Sequence, residues 1–287
     1  MYAGLKSRTT NNGRGVWRCT NPRTSPSWTN TGGGVEGYVV LSLEYDSQRD
    51  VLYATGSQSD AKTKSFGVWR CDNPRTSPSW THIADFIDVA ICIAYDVSHD
   101  VLYAAGKGVW RCTNPRTSPS WTNTDGGLSS QVVGSLALDP IHDVLYAGIS
   151  FTPRGVWRCT SPATSPTWTK IQGSQGSNPA GQSGPRGVAS SDIVYDTKYD
   201  VLYAGTDDFR GVWQCVNPRT NNLWSRVGSG IDSCSVAGFA IDSYHGFLYA
   251  GLGDEHNKVL GVWRYATQAR SQTEKRCLEG FTTLPET

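Results

Sequence analysis

The stretch Gly108-Val109-Trp110-Arg111-Cys112-Thr113-Asn114-Pro115-Arg116-Thr117-Ser118-Pro119-Ser120-Trp121 decides the fold, because near-copies of it recur along the chain. The tripeptide Gly-Val-Trp occurs six times, at spacings of 52, 41, 47, 56 and 50 residues. Its tryptophans, the structural repeat, are Trp17, Trp69, Trp110, Trp157, Trp213 and Trp263. A second tryptophan ends each of the first five copies, at Trp28, Trp80, Trp121, Trp168 and Trp224. A period of about 40–50 residues is typical of propeller blades.

Each repeat predicts four short strands, A to D, separated by residues that favour turns. Strand A is typified by Leu41–Tyr45, B by Val51–Ala54 and C by Gly67–Cys71, while D begins at Ser79. These segments are rich in Val, Ile, Tyr, Trp and Thr, and no window has a sustained helical period. We therefore expect an all-β fold, a six-bladed β-propeller of four-stranded antiparallel blades.

The two ends of the chain predict how the propeller closes. The repeats supply strands B, C and D of the first blade and A, B and C of the last, which leaves two strands missing. We expect residues 266–287 to form a closing tail, with Glu274–Glu279 as the last strand D and Gly280–Pro285 as strand A of the first blade. Residues 1–287 would then be a single domain. Alternatively, the tail completes a blade of a neighbouring molecule, which gives self-association into a head-to-tail polymer.

Composition excludes several classes of function. The chain has 287 residues and a net charge of +1, so it lacks the basic excess that binds nucleic acid. Its apolar runs are too short to span a membrane, and its first residues lack the pattern of a signal peptide. Eleven tryptophans and thirteen tyrosines indicate a well-packed protein.

The segment that follows strand C resembles the Asp-box, or bacterial neuraminidase repeat, whose pattern is Ser-x-Asp-x-Gly-x-x-Trp. The Asp of the box is Asn21, Asn73, Asn114 and Asn217 here, and Ser161 in the fourth copy, while the Gly of the box is absent. The resemblance implies a propeller of a superfamily that contains sialidases, sortilin-type receptors and lectin-like binders. It also favours an extracellular or cell-surface location. Asn in this turn and Trp between blades explain the box structurally.

The two rims of a propeller differ in this sequence. The A–B turns and C–D loops are nearly alike from copy to copy, whereas the B–C and D–A loops vary in length and content, and binding sites are often built on such variable loops. Long examples are the B–C loop Gly56–Phe66 and the D–A loop Ile171–Gly187. The candidate ligand-binding residues on this variable rim are Glu36, Tyr38, Asp85, Asp88, Gln131, Arg186, Asp192 and Asp232.

These residues leave three functions open. The first is a non-catalytic propeller that binds a glycan or protein partner through the variable rim, with no catalytic residues. The second is a sialidase-like glycoside hydrolase, since Tyr38 beside Glu36 has the residue types of that chemistry. The third is a structural subunit that polymerises by exchange of its tail strand. Because all tryptophans belong to the repeat, a sugar would stack on Tyr38, Phe86, Phe151 or Phe209, or bind between blades.

Cysteines and acidic turns predict neither a metal site nor a cofactor. Five of the eight cysteines share one repeat position and are interpreted as small buried hydrophobic residues. No Cys-x-x-Cys pair and no phosphate-binding loop is present. The Asp-x-x-x-Asp segments of the A–B turns offer few ligands for calcium, so we expect them to cap their own turns.

Overall fold

The computed structural model describes residues 1–6, 13–59, 64–84, 90–124, 126–128, 131–149, 155–171, 192–206, 209–228, 230–231, 233–254, 259–267 and 282–283. Within these ranges the regular secondary structure consists of 23 β-strands in six antiparallel sheets, without a helix. The predicted fold class is therefore confirmed: an all-β propeller whose sheets are the six blades. None of the described segments forms a helix with the length and apolar character needed to cross a bilayer.

Contacts divide the chain into two units, Met1–Val133 and Gly134–Thr287, each of which carries three blades. The prediction of a single domain over 1–287 stays a prediction. The strands of the first unit are β1 (Tyr2–Lys6), β2 (Gly13–Thr20), β3 (Ser27–Asn30), β4 (Val39–Asp46), β5 (Val51–Ser59), β6 (Lys64–Asp72), β7 (Ser79–Ala84), β8 (Ala90–Asp96), β9 (Val101–Gly106), β10 (Gly108–Thr113) and β11 (Ser120–Asn123).

In the second unit the same order of strands continues. They are β12 (Val133–Asp139), which begins at the boundary, β13 (Val144–Ile149), β14 (Gly155–Thr160), β15 (Thr167–Lys170), β16 (Ile193–Asp196), β17 (Val201–Gly205), β18 (Val212–Val216), β19 (Trp224–Val227), β20 (Ser235–Asp242), β21 (Phe247–Gly253), β22 (Val259–Ala266) and β23 (Thr282–Thr283). Each blade pairs its strands in chain order, as a meander.

Strand B forms the most buried layer of the blades. In β9 every residue from Val101 to Gly106 is buried, and the repeated tyrosines Tyr53, Tyr103, Tyr146 and Tyr203 are at most 1% exposed. Tyr53 packs against Tyr95, the tyrosine of strand A in the next blade, with ring centroids 5.0 Å apart. In the second unit, Tyr146 and Tyr195 repeat this contact at 5.6 Å. The Leu-Tyr-Ala repeat is therefore the core that joins one blade to the next.

The box is a turn in which one residue has left-handed backbone geometry. Asn21, Asn73, Asn114, Ser161 and Asn217 have φ between 50° and 53°. The carbonyl of Asn73 accepts hydrogen bonds from the amides of Thr76 and Ser77, at 3.1 and 3.0 Å. Asn is favoured at such a position because its short polar side chain tolerates positive φ better than most residues.

The predicted role of the cysteines is confirmed where the structure describes them. Cys19, Cys71, Cys112, Cys159 and Cys215 are buried thiols outside any disulfide, and Cys92 and Cys234 are buried as well. Burial raises the pKa of the Cys71 thiol to about 12, which keeps it protonated and unreactive. Cys277 lies outside the described residues.

Two predicted connections differ from the structure. Most of the B–C loop assigned to Gly56–Phe66 is strand, because β5 continues to Ser59 and β6 begins at Lys64. The tail differs as well: Thr282 and Thr283 pair with Arg264 and Trp263 of β22, so β23 is the outer strand of the sixth blade. Assigning Gly280–Pro285 to the first blade is therefore wrong for these two residues. The first blade has three strands in the described part of the chain, and Glu274–Glu279 lies outside that part.

Candidate functional site

Three D–A loops share one tight turn, although they differ in length. The turn begins at Val35, Leu128 or Ile231, each of which is at most 1% exposed. The amide three residues later donates to the carbonyl of this apolar residue: Tyr38 to Val35 at 3.2 Å, Gln131 to Leu128 at 2.9 Å and Cys234 to Ile231 at 3.1 Å. The buried side chain anchors the turn, and in the first turn Glu36 and Gly37, between its ends, form the tip.

The same turns are tied to strand C. The amides of Gly15, Gly108 and Gly211 donate to the carbonyls of Tyr38, Gln131 and Cys234, at 3.4, 3.0 and 3.0 Å. These glycines have φ between 68° and 83°, a geometry that strains any side chain. Since each of them is the glycine of a Gly-Val-Trp tripeptide, the start of strand C and the D–A turn lie at the same rim in these three blades, as the sequence predicts.

Glu36 and Tyr38 lie on the first of these turns but serve different purposes. Glu36 is at the tip and exposed. Tyr38 is half-buried, and its ring lies 4.4 Å from that of Trp69 in the second blade. Tyr38 therefore packs the D–A turn against the second blade, and Glu36 is the residue of this pair that faces solvent.

Asp192 links two blades of the second unit. Its Oδ2 accepts a hydrogen bond from the amide of Phe239 on strand A of the following blade, at 3.2 Å. Burial raises the pKa of this carboxyl above its usual range, although hydrogen bonds from the amides of Phe239 and Ile193 oppose the effect. Ser42 has the same role in the first unit, where its Oγ accepts from the amide of Ile93 at 3.4 Å. Asp192 is thus an acidic variant of a structural position.

The remaining predicted residues fall into two groups. Gln131 ends the second D–A turn and holds Gly108 through its backbone carbonyl. The other four, Asp85, Asp88, Arg186 and Asp232, lie outside the described residues. Among the described candidates, Glu36 is therefore the exposed acidic residue at the tip of a rigid turn.

Phe209 is one of the rings on which the sequence predicts that a sugar would stack. It lies in the B–C loop of the fifth blade and has φ of 58°, which is rare for a bulky residue. The loop is closed by Thr206, whose amide and hydroxyl both donate to the carbonyl of Gly211, at 3.2 Å each. Backbone strain of this kind concentrates at binding sites, where the surrounding structure holds it.

The opposite rim contains a repeated network of paired polar groups. The box arginines Arg75, Arg116 and Arg219 form ion pairs with Asp50, Asp100 and Asp200 of the A–B turns, at 2.9, 3.0 and 2.9 Å. The arginine after Gly-Val-Trp reaches the box of the next blade: Arg18 donates to the carbonyls of Pro74 and Arg75, and Arg158 to that of Pro218. Arg70 does the same with Pro115 and Arg116. Sequence reasoning did not find these arginine contacts between blades.

Comparison with known proteins supports the fold and not a particular activity. No protein-family model and no curated protein matches the chain. A chain from the crystal structure of a nidogen/laminin complex is similar, with a TM-score of 0.61 and 12% identity over 88% of this chain and 90% of that one. A putative 6-phosphogluconolactonase from Bacteroides uniformis gives a TM-score of 0.62 and 12% identity over 99% and 82%. A protein of unknown function from Bacteroides thetaiotaomicron gives 0.51 and 16% over 78% and 54%. Identities this low show the fold alone.

Proposed function

We propose that this protein is a non-catalytic β-propeller of the Asp-box type that binds a glycan or protein partner through its B–C and D–A loops. The observation that carries the proposal is the construction of the D–A turns. A buried residue such as Val35 and two backbone hydrogen bonds fix the turn, while the exposed tip residue Glu36 is not needed to hold it. Variable residues on rigid supports are the usual architecture of a binding surface.

The distribution of polar groups also supports the rim of the B–C and D–A loops as the binding surface. On the opposite rim, Asp50, Asp100 and Asp200 already bind arginines of the same blade. Arg18, Arg70 and Arg158 use their guanidinium groups on backbone carbonyls of the next blade. Charged groups that are satisfied within the fold gain less from a partner than exposed ones, because they would first have to lose their existing bonds.

A glycan array and a panel of chromogenic glycosides test the proposal, with Glu36→Gln added to the glycoside panel and three proteins used in both assays. These are the unaltered chain, Glu36→Ala, and Gln48→Ala as a matched control, because Gln48 is exposed on an A–B turn of the opposite rim. We expect saturable binding without turnover, weakened about tenfold by Glu36→Ala and unchanged by Gln48→Ala. Hydrolysis that disappears in Glu36→Gln would overturn the non-catalytic assignment in favour of a sialidase-like hydrolase. Equal binding by both alanine variants would move the site away from this loop.

A further inference from the structure

The first aspartate of each A–B turn caps that turn through its Oδ1. In the turn that begins at Asp46, Oδ1 accepts the amides of Gln48 and Arg49, at 2.9 and 3.2 Å. Oδ2 then binds the side chain of the third residue after the aspartate. These pairs are Asp46–Arg49 at 2.9 Å, Asp96–His99 and Asp139–His142 at 2.7 Å, and Asp242–His245 at 2.6 Å. In four of the five turns, a basic side chain therefore meets Oδ2.

The turn of the fifth blade lacks that side chain. Asp196 Oδ1 accepts the amide of Lys198 at 3.0 Å, as expected, but the third residue is Tyr199. Asp196 is fully buried, and its Oδ2 has no hydrogen-bond partner among the described residues. Leaving a buried carboxylate oxygen without a donor is costly, so this oxygen is the natural place for a cationic group from outside the turn.

Among the described residues, the next blade does not replace the missing donor. Asp139 Oδ2 also receives the hydroxyl of Tyr195 at 3.0 Å and lies 3.8 Å from the guanidinium of Arg219, both from the following blade. At the equivalent places after Asp196, the sixth blade has Ile241 in strand A and no copy of the box arginine. Lys198 is engaged elsewhere, since its Nζ donates to the carbonyl of Tyr244 at 3.3 Å.

Three tyrosines lie near this turn: burial, and the charges of Tyr265, Asp196 and Tyr199, raise the pKa of Tyr203, so these groups lie around its hydroxyl. Tyr203 is 1% exposed and belongs to a hydrophobic cluster against which Tyr199 and Tyr265 pack while remaining partly exposed. Lys198 Nζ lies 5.0 Å from the centroid of the Tyr199 ring, so this ring already contacts a cation on one side. A carboxylate with tyrosine rings beside it is suited to a flat cation, which both the charge and the ring faces attract.

We infer that Asp196, Tyr199 and Tyr265 form a site for the guanidinium group of an arginine side chain presented by a partner protein. The bound group occupies the place that Arg49 fills in the second blade. Guanidinium fits better than ammonium because its planar fork stacks on a ring while it donates to a carboxylate. Because the carboxyl is fully buried, binding requires a side chain beside it to move aside. This site lies on the A–B rim and is independent of the proposed binding rim.

The test is a titration with N-acetyl-L-arginine amide, followed by the NMR shift of the Lys198 backbone amide, which donates to Asp196 Oδ1. We expect a saturable shift with a Kd of about 1 mM. The variant Tyr199→His should bind at least about tenfold more weakly, because its Nδ1 takes Oδ2 as in the other turns. Tyr199→Phe keeps the ring and should bind like the unaltered chain.

Further arms separate the competing explanations. Asp196→Asn keeps the oxygen that caps the turn but removes the charge, so it should also lose binding. It therefore tests the site even if Tyr199→His fails to fold. N-acetyl-L-lysine amide should bind about tenfold more weakly than the arginine probe. Equal binding of the two probes would overturn the guanidinium assignment. Unchanged binding in Tyr199→His, or no saturable shift with the unaltered chain, would overturn the site itself, and the latter would leave water as the partner of Oδ2.

Discussion

Arg116 and Asp100 of the third blade form a bidentate ion pair: Nε donates to Oδ1 at 3.1 Å and Nη2 to Oδ2 at 3.0 Å. Asp100 has φ of 53°, and the hydroxyl of Tyr95 donates to the same carboxylate at 2.6 Å. The pair joins the C–D loop to the A–B turn of one blade. Arg219 and Asp200 repeat this link in the fifth blade.

Replacing this arginine should measurably destabilise the fold. Arg116→Ala removes a partly buried bidentate pair, so we expect the free energy of unfolding to fall by about 1 kcal/mol. Denaturant unfolding followed by tryptophan fluorescence measures the change. Arg23→Ala is the matched control, because Arg23 is exposed and its blade has no A–B turn among the described residues. An equal loss in both variants would show that the pair itself contributes nothing.

The same pair predicts a pH dependence of stability. Burial acts most strongly on the pKa of Asp100 and raises it, but hydrogen bonds from Arg116 and Tyr95 outweigh burial, and the net pKa is lowered. A carboxylate with a lowered folded pKa adds stability above its unfolded pKa of about 3.9 and loses it as the pH falls through the folded value. The difference in unfolding free energy between the unaltered chain and Arg116→Ala should therefore be constant near neutral pH and shrink below about pH 4. A difference that stays constant down to about pH 2 would contradict this.

The box turn predicts a substitution that raises stability. Ser161 and Asn73 occupy the same left-handed position, with φ of 51° and 50°, and both are exposed. Because Asn accepts positive φ better than Ser, Ser161→Asn should raise the free energy of unfolding by about 0.5 kcal/mol. Asn73→Ser is the reverse change at a matched site and should lower it by a similar amount. Thermal melts of both variants check this, and shifts of the same sign would disprove the explanation.

The architecture was predictable because each blade repeats its own apolar pattern. Leu-Tyr-Ala and Gly-Val-Trp mark the two central strands of the second to sixth blades, and Tyr53 and Trp69 are buried as that pattern requires. The tail was not predictable in the same way. Its paired strand has two residues, Thr282 and Thr283, and it lacks the tryptophan that marks strand D elsewhere. A strand this short is fixed by its neighbour β22 and not by its own sequence.

The candidate site was only partly predictable, because loops of different length conceal equivalent positions. Tyr38 and Gln131 look like unrelated polar residues in the sequence, yet both end the same turn and hold a glycine amide. The available signal was the apolar residue three positions earlier, Val35 or Leu128. Asp192 looked like a rim acid for the same reason, although it occupies the position of Ser42 between blades.

A tryptophan of the box should contribute to the free energy of unfolding where it contacts the preceding blade. Trp80 Nε1 donates to the hydroxyl of Thr31 at 3.1 Å, whereas Trp28, at the same repeat position in the first blade, is 43% exposed. Trp80→Phe leaves the Thr31 hydroxyl without this donor and should cost about 1–2 kcal/mol of unfolding free energy. Trp28→Phe should change stability by less than about 0.5 kcal/mol. Equal losses in urea unfolding would rule out the bond between blades as the cause.

The tail gives a prediction about self-association. Because Thr282 and Thr283 cover part of the edge of β22, a chain ending at Thr267 should expose that edge beside Val262 and Leu260, which are already 48% and 37% exposed. An uncovered strand edge beside apolar side chains promotes pairing between copies. Sedimentation should therefore show a concentration-independent monomer for the whole chain and association for the shortened one. Thr283→Ala keeps the backbone pairing and should behave like the whole chain. The reverse pattern, a polymer of the whole chain that is lost on shortening, would mean that the tail strand pairs with a neighbouring molecule instead.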